Sequence, residues 1–357
     1  MIDETSPSYK PPFGLGNSHL QNFLSSSGLR STLILKRNAS LLRKSHTITL
    51  DCGNSVKLKG ELNEQTLGIS QGLVILLHGW EGSTRSNYML SATTALLRAG
   101  FDVFRLNFRD HGDTHHLNRG LFHSALQEEV IGAVKAIQQR WHKKPRYFLA
   151  GFSLGGNFAL RVALKQQCLP EPLSHVFAVS PVLDPANSME AMEDKHFYER
   201  YFVRKWKRSL TKKLAAFGSY DYGPALARMR RLRDMNEFFI PRYTPLGTVE
   251  NYYAAYTLTG DKLRGLKTPS TILLSSDDPI IPEADLHKLA QLPHLTTDVT
   301  SKGGHCAFLD SYSLTSWADL RMANTFLSCA HPIAERATEE DASNSEEEAQ
   351  EELLGSA

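Results

Sequence analysis

The chain has 357 residues, 41% of them hydrophobic and 22% charged, which is enough for one large buried core and unlike a disordered or fibrous composition. A formal net charge of +2 provides no global field that would draw nucleic acid or a membrane surface. Cys52, Cys168, Cys306 and Cys329 lack C-x-x-C spacing, so neither a zinc site nor a disulfide framework is expected. They read as reduced thiols, and the expected location is cytoplasmic.

The opening residues, "MIDETSPSYKPP", are polar and lack the basic flank and apolar stretch of a signal peptide. "HTITL" (46–50) is the first strand-like run, followed by "GLVILLH" (72–78), whose core "LVILL" is far too short to span a bilayer. Directly after it come His78, Gly79, Trp80, Glu81 and Gly82, a loop with glycines at the end of a strand. "NYMLSATTALLRAG" (87–100) has helical periodicity and closes on Gly100. "FDVFRLNF" (101–108) predicts another strand.

"RDHGDTHHLN" then packs His111, Asp113, His115 and His116 into six residues, with His123 nearby. Imidazole and carboxylate are good metal ligands, yet adjacent histidines rarely point one way. A loop rimming a site, with Arg109 and Asp110 in structural ion pairs, is the preferred reading, and no metal is assigned. "SALQEEVIGAVKAIQQRW" (124–141) is a second amphipathic helix.

"LAGFSLGGNFAL" (149–160) carries the pattern G-x-S-x-G, too short to persuade alone. Its flanks matter more. "RYFLA" before it reads as a strand and "LGGNFALRVALKQ" after it as a helix, so Ser153 falls on a strand-to-helix turn. Such a turn strains the serine, and Gly151 and Gly155 remove the clashes two positions away. The amide of Leu154 is one ready donor for an oxyanion, and the Trp80 amide is the assigned second.

"SHVFAVS" (174–180) and "STILLSS" (270–276) are further strands. Between about 184 and 260 the strand–helix alternation breaks into a basic, aromatic region expected to be inserted helices. "KHFYERYFVRKWKRSLTKKL" (195–214) brings Phe197, Tyr198, Tyr201, Phe202 and Trp206 onto one broad helical face. A helix packed on the core with a solvated basic side is the plainer reading. In the sharper one the aromatics line an acyl pocket while the basic side chains contact anionic lipid.

After "STILLSS" comes "DDPIIP", where Asp278 fits the orienting acid of a triad better than Asp277, which can bond the turn backbone. "TTDVT" is a last strand-like run, and "TSKGGHCAFLD" offers His305 after two glycines, placed to take and return the serine proton. Ser153, Asp278 and His305 follow the chain order Ser, Asp, His. The tail "ATEEDASNSEEEAQEELLGSA" is acidic and poor in apolar residues, and is expected to be disordered.

Alternating strands and helices argue for a mostly parallel sheet covered on both faces, with catalytic groups beyond the carboxyl ends of the strands. These residues resemble the α/β-hydrolase superfamily over nearly all of 12–328. A narrower resemblance, to the YheT-like (ABHD-type) hydrolases, rests on "PPFGLGNSHLQNFLSS", "NFRDHGDTHHLNRGLFHSA" and "GFSLGGN". It implies the α/β-hydrolase fold, and the chain is expected to divide into 1–183 and 261–330 as core, 184–260 as helical cap and 331–357 as disordered tail. It implies the same triad and a local hydrogen-bonding role for Asn157. Members are described as carboxylesterases, monoacylglycerol lipases or alcohol acyltransferases. The membrane-anchored ones begin with a hydrophobic span that this sequence lacks.

The expected function is therefore hydrolysis of a carboxylic ester, of a small molecule or lipid, through an acyl-enzyme, with no cofactor. An alcohol O-acyltransferase using the same intermediate, or a silent hydrolase-fold binding protein, are the alternatives.

Overall fold

The computed structural model describes residues 9–65 and 68–331. The acidic segment expected to be disordered lies outside them, apart from His331, as do the first eight residues.

Eight strands form one sheet in the order β1-β2-β4-β3-β5-β6-β7-β8. They are β1 (His46–Asp51), β2 (Lys57–Asn63), β3 (Leu73–Leu77), β4 (Asp102–Asn107), β5 (Tyr147–Phe152), β6 (Leu173–Val179), β7 (Ser270–Ser275) and β8 (Leu295–Thr300). β2 runs antiparallel to β1 and β4, and all the other pairings are parallel. This is the α/β-hydrolase fold. Each residue of β3, β4, β5 and β7 is buried, which explains why apolar residues dominate them, although β4 also buries Asp102, Arg105 and Asn107.

Helices α1 (Ser18–Ser26) and α2 (Gly28–Leu42) precede the sheet, and α3 (Asn87–Arg98), α4 (Gln127–Arg140), α5 (Leu154–Leu164) and α11 (Trp317–Ala330) accompany its strands. One core includes side chains of α4 and α5 with strand residues such as Leu77 and Leu149, and the other joins α3 and α11 to Leu76 and Phe148. Residues alternating along one strand thus enter different cores, as a sheet covered on both faces requires. α3 ends where Gly100 takes φ +89°, a left-handed conformation that costs glycine little.

Between β6 and β7 lie α6 (Pro185–Glu193), α7 (His196–Ala216), α8 (Gly223–Arg228), α9 (Leu232–Tyr243) and α10 (Val249–Tyr256). Asp184 starts this group by accepting from the Ala186 and Asn187 amides, with Pro185 in the first helical turn. Asn157 on α5 fixes both ends of it, donating through Nδ2 to Val182 O and Tyr256 O, each at 2.7 Å.

β2 and the two leading helices were not expected as elements from the sequence. In "KLKGELN" the inward positions are Leu58, Gly60 and Leu62, so glycine interrupts the apolar alternation. The glycine is required there, because a Cβ would lie 2.2 Å from the Phe104 ring.

Candidate functional site

Ser153 closes β5 and opens α5, with φ +53° and ψ −117°. A serine in that region is strained, and the surrounding packing enforces it. A Cβ on Gly151 would sit 2.2 Å from the Gly155 carbonyl, and one on Gly155 would sit 2.3 Å from Leu77 O. The motif's glycines are therefore demanded by close backbone approach at both positions. A serine at a helix start usually caps an amide, but the Ser153 side chain makes no capping bond. Its backbone is held instead by Ser153 N–H donating to Val179 O at 2.8 Å.

The loop after β3 lies against this turn, and Gly79 comes close enough that its Cβ would be 3.3 Å from Ser153 Cβ. Gly79 N–H donates to Tyr88 OH, Glu81 N–H to His111 Nε2 and Gly82 N–H to Gly79 O. Among the described residues the Trp80 amide has no acceptor, and neither has that of Leu154, at the first position of α5. Both residues line the cavity that Ser153 lines.

His78 is buried beneath this loop. Its Nδ1–H donates to Gly79 O at 2.7 Å and its Nε2 accepts from Phe108 N–H. Burial, with Lys205 adding to it against the Gly79 bond, pushes its pKa down to about 4. It is a neutral brace. Of the neighbouring histidines, His111 Nδ1–H donates to Arg109 O and His115 Nε2 lies 2.9 Å from Ser209 Oγ, whereas the buried Nδ1 of His123 has no hydrogen-bond partner among the described residues. Arg109 pairs with Glu129 at 2.6 Å and Asp110 with Lys213 at 2.7 Å. Among the described residues no three His, Cys, Asp or Glu side chains are grouped to hold a metal ion.

Asp278 follows β7 and is fully buried. Its Oδ1 accepts from the Ile280 and Ile281 amides at 2.8 and 3.0 Å, and its Oδ2 lies 2.9 Å from His305 Nδ1. A carboxylate only accepts, so Nδ1 carries a proton, and in the neutral ring Nε2 keeps its lone pair. The His305 side chain is 14% exposed and lines the same cavity as Ser153. Burial disfavours its imidazolium, but the Asp278 charge, with a smaller contribution from Cys306, outweighs burial and sets the pKa well above the usual value. Asp277 has a different position, its Oδ1 accepting from Gly304 N–H at 2.9 Å. It braces the glycine loop next to the imidazole rather than the imidazole itself.

Residues of the leading segment complete this loop, and reading the chain for chemistry passed over them. Asn22 Oδ1 accepts from His305 N–H at 2.7 Å, while its Nδ2 donates to Tyr198 OH on α7 at 3.0 Å. His19 Nδ1 lies 2.9 Å from the same hydroxyl. Gln21 Oε1 accepts from Leu309 N–H, and Tyr9 OH donates to Leu309 O. The signals in the sequence were the resemblance carried by "PPFGLGNSHLQNFLSS" and, within it, the polar cluster "NSHLQN", neither of which assigned these residues a role.

The shared cavity has a volume of about 960 Å³. Met189, Met192, Trp206, Phe239, Ile240 and Tyr256 contribute apolar wall. Tyr198, Tyr201, Phe202 and Trp206 of α7 line it, with Trp80 stacked on Phe202 at 5.1 Å between centroids. The basic side of α7 makes mostly internal contacts. Lys205 Nζ donates to Glu81 O at 2.9 Å, and Lys207 Nζ to the Ala227 and Met229 carbonyls.

A strained serine on a strand-to-helix turn, on this sheet order, defines an α/β-hydrolase-type protein. The chain belongs to the α/β-hydrolase fold family, which its sequence matches over residues 72–312. It is 27% identical over 255 residues to a pimeloyl-[acyl-carrier protein] methyl ester esterase of Nitrosospira multiformis, covering 69% of this chain and 91% of that one. It is 27% identical over 184 residues to an sn-1-specific diacylglycerol lipase ABHD11 of Xenopus laevis, covering 48% and 55% of the two chains. A probable alcohol acetyltransferase of Cyberlindnera fabianii is 33% identical over 92 residues, 26% of this chain and 23% of that protein. The match thus spans about half of the lipase and a quarter of the acetyltransferase. Among solved structures, a Pyrococcus furiosus esterase superposes with a TM-score of 0.53 at 17% identity, covering 82% of this chain and 92% of that one. Among the described residues no helix is long and apolar enough to cross a membrane.

Proposed function

We propose that the protein is a serine esterase of the YheT-like branch, cleaving carboxylic esters of small molecules or lipids through an acyl-enzyme. The observation that carries this reading is the 2.9 Å contact of His305 Nδ1 with buried Asp278, beside a cavity that Ser153 also lines. Ser153 Oγ attacks the ester carbonyl, and His305 Nε2 takes its proton. The Trp80 and Leu154 amides receive the negative charge that develops on the carbonyl oxygen. His305 then protonates the leaving alkoxide, and water, activated by the same imidazole, releases the acid. Asp278 holds the tautomer and stabilises the imidazolium formed at each step. No cofactor enters this sequence, and the 184–260 helices act as the cap that shapes the substrate chamber.

Ser153→Ala is expected to remove nearly all turnover of p-nitrophenyl acyl esters, by about 10³-fold or more, while circular dichroism stays that of the native fold. A fluorophosphonate probe is expected to label the native protein and not the variant. Undiminished turnover in the variant would overturn the assignment, and absence of labelling in the native protein would favour a silent binding protein.

A second reading has a specific support. The apolar cavity wall shields an acyl-enzyme from water, and part of the sequence resembles an alcohol acetyltransferase. Transfer to an alcohol would then compete with hydrolysis. Adding ethanol or glycerol and measuring the ester-to-acid product ratio separates the two.

A further inference from the structure

The cavity wall is chemically lopsided. Among the described residues that line it there is no aspartate and no glutamate, whereas Arg85, Lys195, Arg204 and Lys205 all contribute. None of these four pairs with a carboxylate. Lys195 and Lys205 are half-buried and donate to the carbonyls of Ala191 and Glu81, at 3.4 and 2.9 Å, with the Lys205 ammonium also 5.0 Å from the centre of the Tyr201 ring. Arg85 and Arg204 are exposed and have no hydrogen-bond partner for their guanidinium groups among the described residues. Of the other α7 cations, Lys212 pairs with Asp113 and Lys213 with Asp110, while Arg200, Lys207 and Arg208 have no carboxylate partner among the described residues and do not line the cavity. The cavity wall thus carries four cations and no acid of its own.

The buried part of the wall is mostly apolar, and the exposed part mixes cations with the rings of Phe23 and Phe197. Met189, Met192, Leu210, Phe239, Ile240 and Tyr256 are buried and apolar, whereas Arg85, His196 and Arg204 lie on exposed positions. The chamber therefore has an interior suited to an acyl chain and an open side suited to a charged group. The nearest acid of the neighbouring loop does not restore balance. Burial pushes the Glu81 carboxyl up to about 8, with Lys205 opposing the shift. Unpaired cations against low-dielectric walls focus a positive potential, and guanidinium groups bind phosphate or carboxylate oxygens in pairs.

We propose that the substrate is an acyl ester whose alcohol part carries an anionic group, phosphate or carboxylate, held by Arg85, Arg204 and the two lysines on the open side of the cavity. This rests on the esterase reading above and names the substrate class for that site. The acyl chain occupies the apolar interior, and the charged leaving group faces the entrance.

The test compares three lauroyl esters as monomers below their aggregation concentrations, so that attraction to a lipid surface plays no part. They are 1-lauroylglycerol, 1-lauroylglycerol 3-phosphate and lauroyl glycolate. In the native protein at low salt, kcat/KM for an anionic ester is expected to exceed that for the neutral one by about tenfold or more. The Arg85→Glu/Arg204→Glu variant is expected to bring that ratio to one or below. Because the readout is a ratio within one preparation, a general loss of folded protein does not alter it. Preference for both anions, or for the phosphate alone, supports the proposal. A native ratio of one or less, or a ratio that survives the charge reversal, overturns it.

Failure of the esterase reading is seen separately, as cleavage of none of the three. Calorimetric titration of dodecyl phosphate and 1-O-dodecylglycerol then decides the anion question alone. Tighter binding of the phosphate that the double variant loses supports the proposal, and equal binding of the two overturns it.

Discussion

The two adjacent aspartates after β7 differ by a single position and take separate tasks. Asp278 presents one oxygen to two backbone amides and the other to His305 Nδ1, while Asp277 fixes the Gly304 amide. Sequence order and the following prolines favoured Asp278, but only side-chain direction distinguishes residues that a turn sends opposite ways. Asp278→Asn should therefore lower kcat/KM by about 10⁴-fold, the scale set by loss of the correct tautomer in a Ser-His-Asp protease. Asp277→Asn keeps an acceptor for Gly304 and should cost less than about tenfold. The pH profile adds a sign. In the proposed mechanism the reaction needs neutral His305, so the rate rises with pH through its pKa, which the Asp278 charge holds well above the ordinary histidine value. Removing that charge lowers the pKa, so the residual activity of Asp278→Asn should rise at lower pH than that of the native enzyme. A limb that stays in place, or moves to higher pH, would remove Asp278 from the role.

At the scale of elements, helix α7 shows how a pattern can be legible while its contacts are not. Its aromatic face was readable from spacing, and Tyr201, Phe202 and Trp206 do line the cavity. The basic residues between them suggested a solvated or lipid-facing side, yet Lys213 is buried at 1% exposure. Its ammonium donates to Asp110 at 2.7 Å and to the carbonyls of Asn118 and Gly120, tying α7 to the loop after β4. No periodicity separates a lysine that meets water from one that meets a carboxylate a hundred residues away. Burial pushes the Asp110 carboxyl up and the Lys213 ammonium down, and the attraction between the two opposes both shifts. Lys213→Met leaves Asp110 buried with the Phe122 amide as its remaining donor, and should destabilise by about 3–5 kcal/mol. Adding Asp110→Asn removes the stranded charge and should recover part of that loss. The midpoint of urea unfolding measures both, and a double variant no more stable than Lys213→Met would show that the pair acts through packing instead.

On the scale of the whole molecule, the parallel part of the sheet and its helices were readable because apolar residues dominate the buried strands, even in β4 with its buried Asp102, Arg105 and Asn107. β2 was hidden by Gly60 and by outward lysines, and the leading helices by mixed composition. What no stretch of sequence encodes is the chamber, since α1, the loop after β3, the elbow and the inserted helices each supply part of its wall. In the proposed esterase its depth would set the acyl chain it accepts. Each methylene buried there is worth about 0.8 kcal/mol, close to fourfold in kcat/KM while the chain still finds apolar wall. A series of p-nitrophenyl esters should therefore gain activity per carbon up to a break and then level. Ile240 is 3% exposed and lines the interior from α9, so Ile240→Trp fills the space the end of a long chain would occupy. The break should move to shorter chains, with esters below it keeping kcat/KM within about threefold of the native value. An unchanged break in a folded variant would mean that the acyl group lies elsewhere in the cavity, and a uniform loss at every length would mean that the bulkier ring had disturbed the serine turn rather than the chamber.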